Sequence, residues 1–166
     1  MLWYHRQLRL SLSMYRQSIT DQAQQLGAKT ERERDYIAAL ALFYADHDIK
    51  LDEALTLAHK EFEVRHDIYT WDALAWALYK NGKYQEASDA MDHALRPGAR
   101  DALLLFHAGM IASRLGQTSQ AKERLQSALS INPHFHVIYS EVAQQQLKTL
   151  DAQAGLTASQ GRTHVP

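Results

Sequence analysis

Two stretches, YKNGKYQEASDAMDHAL (residues 79–95) and SRLGQTSQAKERLQSAL (residues 113–129), share few residues but almost all of their spacing. Gly82 recurs as Gly116, Ala87 as Ala121, Ala94 as Ala128 and Leu95 as Leu129, each 34 positions on. A fixed period of this length marks a supersecondary unit that stacks on copies of itself. Each unit reads as two helices joined at the glycine. The second helix ends near Pro97 or Pro133, because proline lacks the N–H that the helical ladder needs.

The same pattern extends in both directions. Upstream, RDYIAALALFYADHDIKLDEALTLAHKEFEVRH (residues 34–66) reads as a degenerate unit. Ala54 precedes Ala87 by one position less than the period, while Tyr36 and Phe43 precede Trp71 and Leu78 by one position more. The two offsets agree if the inter-helix turn ADHDIK is two residues longer than its counterparts. Downstream, FHVIYSEVAQQQLKTL (residues 135–150) begins another first-type helix without a partner, as expected of a cap on a repeat stack.

Counted from Ile68, this spacing resembles the tetratricopeptide repeat, a 34-residue helix-turn-helix unit. The family pattern falls on Trp71, Leu74, Ala75, Leu78, Gly82, Tyr84, Ala87 and Ala94, then on Leu105, Ala108, Gly109, Ala112, Gly116, Ala121, Ala128 and Pro133. Leu105, Thr118 and Ala99 depart from it, at positions that vary in the family. The fold the resemblance implies is all-α, a right-handed superhelical stack of helix-turn-helix repeats with a long N-terminal helix and a C-terminal capping helix. One domain is expected over residues 1–151: a helix over 3–27, a degenerate repeat over 31–66, repeats over 68–101 and 102–135, and a cap over 136–151. Thr30 and Glu33 form a capping box for the second helix. Residues 152–166 lack apolar periodicity and are expected to be a disordered tail.

The composition fits a helical protein and excludes several functions. Lysine and arginine number 18 against 19 acids in 166 residues, a net charge of −1, which disfavours a nucleic-acid binder. Without cysteine there are no disulfides, thiolate metal sites or cysteine nucleophiles. No apolar run approaches the roughly 20 residues that span a bilayer. Arg6 and Arg9 interrupt any secretory signal core, so the expected location is cytoplasmic, although an acid-free, Arg- and Ser-bearing start also suits an organelle transit peptide. Tyr4, Leu8, Leu12, Tyr15, Ile19, Ala23 and Leu26 form a stripe at helical spacing, to be packed against the body of the protein.

The helix that begins at Tyr69 carries two stripes. Trp71, Leu74, Ala75 and Leu78 face the partner helix, and small residues at 75, 87, 109 and 121 let helix axes approach to roughly 8–10 Å. Trp71 is therefore expected in the core. The second stripe, Tyr69, Asp72, Trp76, Tyr79 and Lys80, falls by resemblance on the concave groove where the family's ligands lie. One period further on, Phe106, Met110 and Arg114 come to the same surface, with His107 beside Phe106 and within reach of Asp72. Lys80, Arg114 and Lys148 are likewise one period apart, a basic ladder suited to an acidic side chain or a peptide C-terminus. Its plainer use is to offset the dipoles of three helix ends. Cover of the aromatic stripe by the N-terminal helix or by a second copy is the competing reading.

Some family members clamp acidic chaperone tails with lysine, asparagine and arginine. Here the places of the lysine and asparagine hold Ile37 and Ala41, or Asp72 and Trp76, and the next asparagine's place holds His107, so that clamp is absent. The nine histidines show no metal-ligand spacing, and no phosphate loop, dinucleotide fingerprint or zinc motif occurs. The expected function is a non-enzymatic scaffold that uses no cofactor and holds a peptide or helix of a partner protein, one with acidic residues. The alternative is a homo-oligomerising module joined through the groove or through Trp3, Leu10 and Met14 of the N-terminal helix.

Overall fold

The computed structural model describes residues 31–96 and 99–160, with side chains over 37–96 and 99–154. The expected helix over 3–27 and the residue Pro97 lie outside the described residues. Among the described residues seven helices follow one another: α1 (Glu31–Asp46), α2 (Leu51–Phe62), α3 (Ile68–Lys80), α4 (Tyr84–Ala94), α5 (Ala102–Arg114), α6 (Thr118–Ile131) and α7 (Tyr139–Gln160). Among the described residues there is no strand. Helices pack in pairs, α1 with α2, α3 with α4 and α5 with α6. The pairs stack through α1 on α3, α2 on α3, α3 on α5 and α4 on α5, and α7 lies against α6.

Local chemistry sets the helix boundaries. Asp67 accepts from the Thr70 amide at 2.9 Å, and Asp101, one repeat later, accepts from the Leu104 amide at 3.0 Å. Both are N-caps that satisfy a donor the first helical turn leaves free. The turns inside the second and third pairs close alike. The Lys83 amide reaches back to the Leu78 carbonyl at 3.0 Å and the Gln117 amide to the Ala112 carbonyl at 2.9 Å. Gly82 (φ 77°) and Gly116 (φ 73°) supply the left-handed residue that such a closure needs.

The first pair obeys the same rule and corrects the expected register. The Ile49 amide bonds to the Tyr44 carbonyl at 3.0 Å, so Tyr44, Leu78 and Ala112 are equivalent at the repeat spacing, as are Asp48, Gly82 and Gly116. Tyr44, and not Phe43, takes the place of Leu78. The turn is then longer by one residue rather than two, and Lys50 is the insertion. Asp48 (φ 52°) and Lys50 (φ 48°) both take the left-handed conformation there. In this register the absent clamp's first places fall on Ala38 and Leu42 instead of Ile37 and Ala41.

Small residues form the seam as expected. Ala41, Ala75 and Gly109 on the first helices, and Ala54, Ala87 and Ala121 on the second, are buried. A Cβ placed on Gly109 would lie 2.7 Å from Leu125 Cγ, so α5 and α6 meet more closely than a methyl group permits. At the other end, α7 continues to Gln160, where a disordered tail from residue 152 is expected. Leu150 is its last buried residue; beyond it Ala152, Gln153 and Ala154 are exposed good helix formers that carry the ladder on.

Candidate functional site

Helices α3 and α5 carry all of the expected groove residues but Lys148, and three of the aromatic ones, Trp76, Tyr79 and Phe106, lie beneath the surface. Trp76 and Phe106 are essentially inaccessible, and Tyr79, Asp72 and His107 are buried with them. Trp76 stacks on His107 at 4.1 Å and on Tyr79 at 4.7 Å between ring centroids. Its indole N–H donates to Asp46 Oδ1 at 2.8 Å. Asp46 also accepts from the Tyr139 hydroxyl at 2.9 Å, so one carboxylate at the end of α1 holds a residue of α3 and the first residue of α7. Burial pushes the Tyr139 phenol well above its usual range, and the Asp46 carboxylate adds to that shift.

The segment that leads into α7 covers these rings; the N-terminal helix, which the competing reading places over them, lies outside the described residues. Tyr139 stacks on Phe106 at 4.7 Å and meets Trp76 edge-on at 5.6 Å. Phe135 packs on Phe106 at 5.6 Å, and His136 stacks on Tyr139 at 4.6 Å. Tyr139 stands one full repeat after Leu105, yet its ring does not continue the Trp71–Leu105 stripe. It crosses the floor of the groove toward the first pair. Gln146 Nε2 donates to Ser113 Oγ at 2.7 Å, and Lys122 pairs with Asp151 at 2.6 Å, holding α7 to α5 and α6.

Asp72 and His107 pair as their positions suggested. His107 Nδ1 lies 2.8 Å from Asp72 Oδ1. An ionised carboxylate only accepts, so Nδ1 carries the proton and donates. His107 Nε2 is buried with no hydrogen-bond partner among the described residues. The pair ties α3 to α5 inside the floor.

The basic ladder separates into three environments. Lys80, in the last turn of α3, pairs with Asp48 at 2.8 Å and lies 5.1 Å from the Trp76 ring centroid. Arg114, in the last turn of α5, is exposed and sits 5.8 Å over the Tyr84 ring. A hydrogen bond to Tyr79 raises the pKa of its guanidinium further. Lys148 is exposed in the middle of α7, so the dipole explanation does not extend to it. The repeat register adds a fourth member, Asp46, which precedes Lys80 by one period. Reading the sequence missed Asp46. Its signal was a carboxylate in the last turn of a helix, where it opposes the dipole unless something nearby uses it.

Tyr69, 69% exposed, and half-buried Met110 are the apolar members of the set that remain accessible. The expected core tryptophan, Trp71, is only half-buried, stacked on His93 at 4.2 Å with Phe62 edge-on at 4.3 Å. A tryptophan on either stripe has the same local spacing. Tyr139, His107, Tyr79 and Phe106 together make Trp76 the more buried of the two.

Residues 102–135 match the family model described as tetratricopeptide repeat. The fold matches that of the first TPR domain of human RPAP3, with a TM-score of 0.61 at 15% identity over 76% of this chain and 95% of that one. It also matches PcrH from Pseudomonas aeruginosa, with a TM-score of 0.60 at 18% identity over 75% of this chain and 96% of that one. A further match is a T3SS complex from Aeromonas hydrophila, with a TM-score of 0.61 at 16% identity over 76% and 85% of the two chains. No curated protein sequence matches the chain. Residues 102–135 are thus a tetratricopeptide repeat, and the fold around them is a helical repeat stack like that of tetratricopeptide-repeat domains. No described helix is long and apolar enough to cross a membrane.

Proposed function

We propose that the chain is a non-enzymatic scaffold that holds a peptide or helix of a partner protein along α1, α3 and α5. The observation that carries this reading is Tyr139. The groove floor already holds an aromatic side chain from outside the repeats, stacked on Phe106 and hydrogen-bonded to Asp46. A surface that buries one such ring is suited to others, since aromatic anchors dominate protein interfaces. PcrH, which shares the fold, has also been solved in complex with the chaperone binding region of PopD, and that likeness supports a protein segment as ligand.

In this reading Tyr69, Met110, Arg114 and Lys148 meet the partner. Trp76, Tyr79, Phe106 and the Asp72–His107 pair form the floor beneath, and Lys80 joins the rim when it leaves Asp48. The exposed cations favour a segment with acidic residues. The test is capture from lysate by the intact chain beside an Arg114→Glu, Lys148→Glu variant whose circular dichroism matches. A protein held only by the intact chain supports the groove, and equal capture by both removes it.

A second reading has its own observation. Val137 is 97% exposed, with exposed Ile131 and Ile138 near it in sequence around the α6–α7 connection. Apolar side chains placed there suit self-association. Light scattering over a range of concentrations decides: a mass that stays at one chain excludes the homo-oligomer.

A further inference from the structure

We infer that residues 135–139 form a lid over the groove floor, held shut by His136 while its imidazole is neutral and released when the ring is protonated. The inference goes beyond the partner reading and does not depend on it.

His136 lies in the turn that leads into α7, three residues before Tyr139. Its carbonyl accepts from the Ser140 amide at 3.3 Å, closing that turn onto the start of the helix. Its ring Nδ1 lies 3.2 Å from the Ile138 amide nitrogen and 3.3 Å from that of Tyr139. These are amides at the start of the helix, which have no carbonyl of an earlier helical turn to donate to. Ser140 Oγ returns the arrangement by accepting from the His136 amide at 3.2 Å. Nδ1 can accept both bonds only when it carries no proton, which fixes a neutral ring protonated at Nε2.

Protonation turns Nδ1 into a donor. The Ile138 and Tyr139 amides then lose their acceptor, and a positive charge appears at the positive end of the helix dipole. Both effects fall on the residue that closes the floor, since Tyr139 is itself one of the two residues whose amides His136 holds. The titratable groups that bear on the ring are Asp46 from α1, His47 from the α1–α2 turn, His107 from α5 and Tyr139 on α7. Burial lowers the pKa of His136, repulsion from His107 and His47 adds to that, and Asp46 opposes it without reversing it. A group depressed in the closed state binds fewer protons there than in the open state. Closure is therefore fully favoured above the ordinary histidine value of 6.5 and is lost as the pH falls through the lower closed-state value.

The test reads Trp76 directly. In a Trp3→Phe, Trp71→Phe background Trp76 is the only indole, and acrylamide quenching is followed between about pH 8 and 5, across the histidine range. The expected result is a several-fold rise in the quenching constant on acidification while helical circular dichroism persists. His136→Asn keeps a side-chain acceptor that does not titrate, so the rise should vanish in that variant. The same rise in His136→Asn, as would follow if His47 or His107 were responsible, overturns the inference. So does a Trp76 that stays shielded throughout in the parent.

Should the tryptophan background not fold, the unaltered chain is read by NMR. Amide exchange of Ile138 and Tyr139 is then followed against protonation of the His136 ring. Exchange that speeds up in step with protonation supports the lid, and protection that holds through the titration overturns it. No partner is present in either measurement, so failure here leaves the scaffold reading standing, and failure of the capture assay leaves the lid standing.

Discussion

Asp46 and Tyr139, far apart in the chain, share a hydrogen bond of 2.9 Å across the groove floor. Because Asp46 also takes the Trp76 N–H at 2.8 Å, it serves two buried donors from different helices. Removing either end should have unequal consequences. Tyr139→Phe deletes one donor and keeps the ring, and is expected to cost about 1.5–3 kcal/mol, the usual range for a hydrogen bond to a charged group. Asp46→Ala strands both donors and should cost more. Urea denaturation of the two single variants and the double variant checks this: a double variant equal to the sum of the singles would deny the coupling.

Asp72→Ala should destabilise the chain by about 2–3 kcal/mol, because it leaves His107 buried with both ring nitrogens unpaired. Asp72→Asn restores an acceptor and should recover part of the loss. The shift in denaturation midpoint at constant slope is the measurement. A neutral Asp72→Ala would mean that water reaches His107.

The glycines of α5 and its turn should fail for different reasons. Alanine at Gly109 gains about 1 kcal/mol of helix propensity but forces Leu125 aside, an overpacking of about 1–3 kcal/mol, so the expected result is net loss. Alanine at Gly116 meets no atom within 4 Å but must adopt φ 73°, costing roughly 1–2 kcal/mol. Gly116→Asn, which tolerates the left-handed region, should be milder than Gly116→Ala, whereas asparagine at Gly109 should be worse than alanine. Thermal unfolding of the four variants separates strain from crowding.

Asp67 and Asp101 are equivalent caps, and loss of either should cost about 1 kcal/mol, additively, since they start different helices. Burial pushes the Asp67 carboxyl up, but the Thr70 hydrogen bonds and the charge of Arg65 outweigh it and hold it below its ordinary value. A depressed carboxylate contributes stability above its unfolded pKa and loses it as the pH falls through the folded one. Asp67→Asn, which still caps, should therefore flatten the acid limb of the stability profile below about pH 4, the unfolded aspartate range. An unchanged acid limb would leave the depression without a thermodynamic effect.

Trp76→Ala, the obvious probe of an open groove, should instead unfold or loosen the chain. It removes a buried ring, at about 3–5 kcal/mol, and leaves Asp46 with only Tyr139. A folded Trp76→Ala with native near-ultraviolet dichroism would show that the floor is less closed than its packing implies.

Spacing alone carried the repeat: Gly82 and Gly116, Ala87 and Ala121, and the small residues of the seam are dictated by helix geometry that recurs once per unit. The Asp72–His107 pair was legible for the same reason, because two near-equivalent positions on adjacent first-type helices must face each other. What lay beyond reach were contacts that break the period. The extra residue Lys50 hid the register of α1, and with it the place of Asp46 at the foot of the basic ladder. Tyr139 occupies the stripe position of Trp71 and Leu105, yet its ring turns to the groove floor, against Trp76 and Phe106. A periodic sequence determines how each unit meets the next. Which aromatic row stays open depends on where α7 comes to rest, and that is decided by hydrogen bonds and ring contacts across three helices at once.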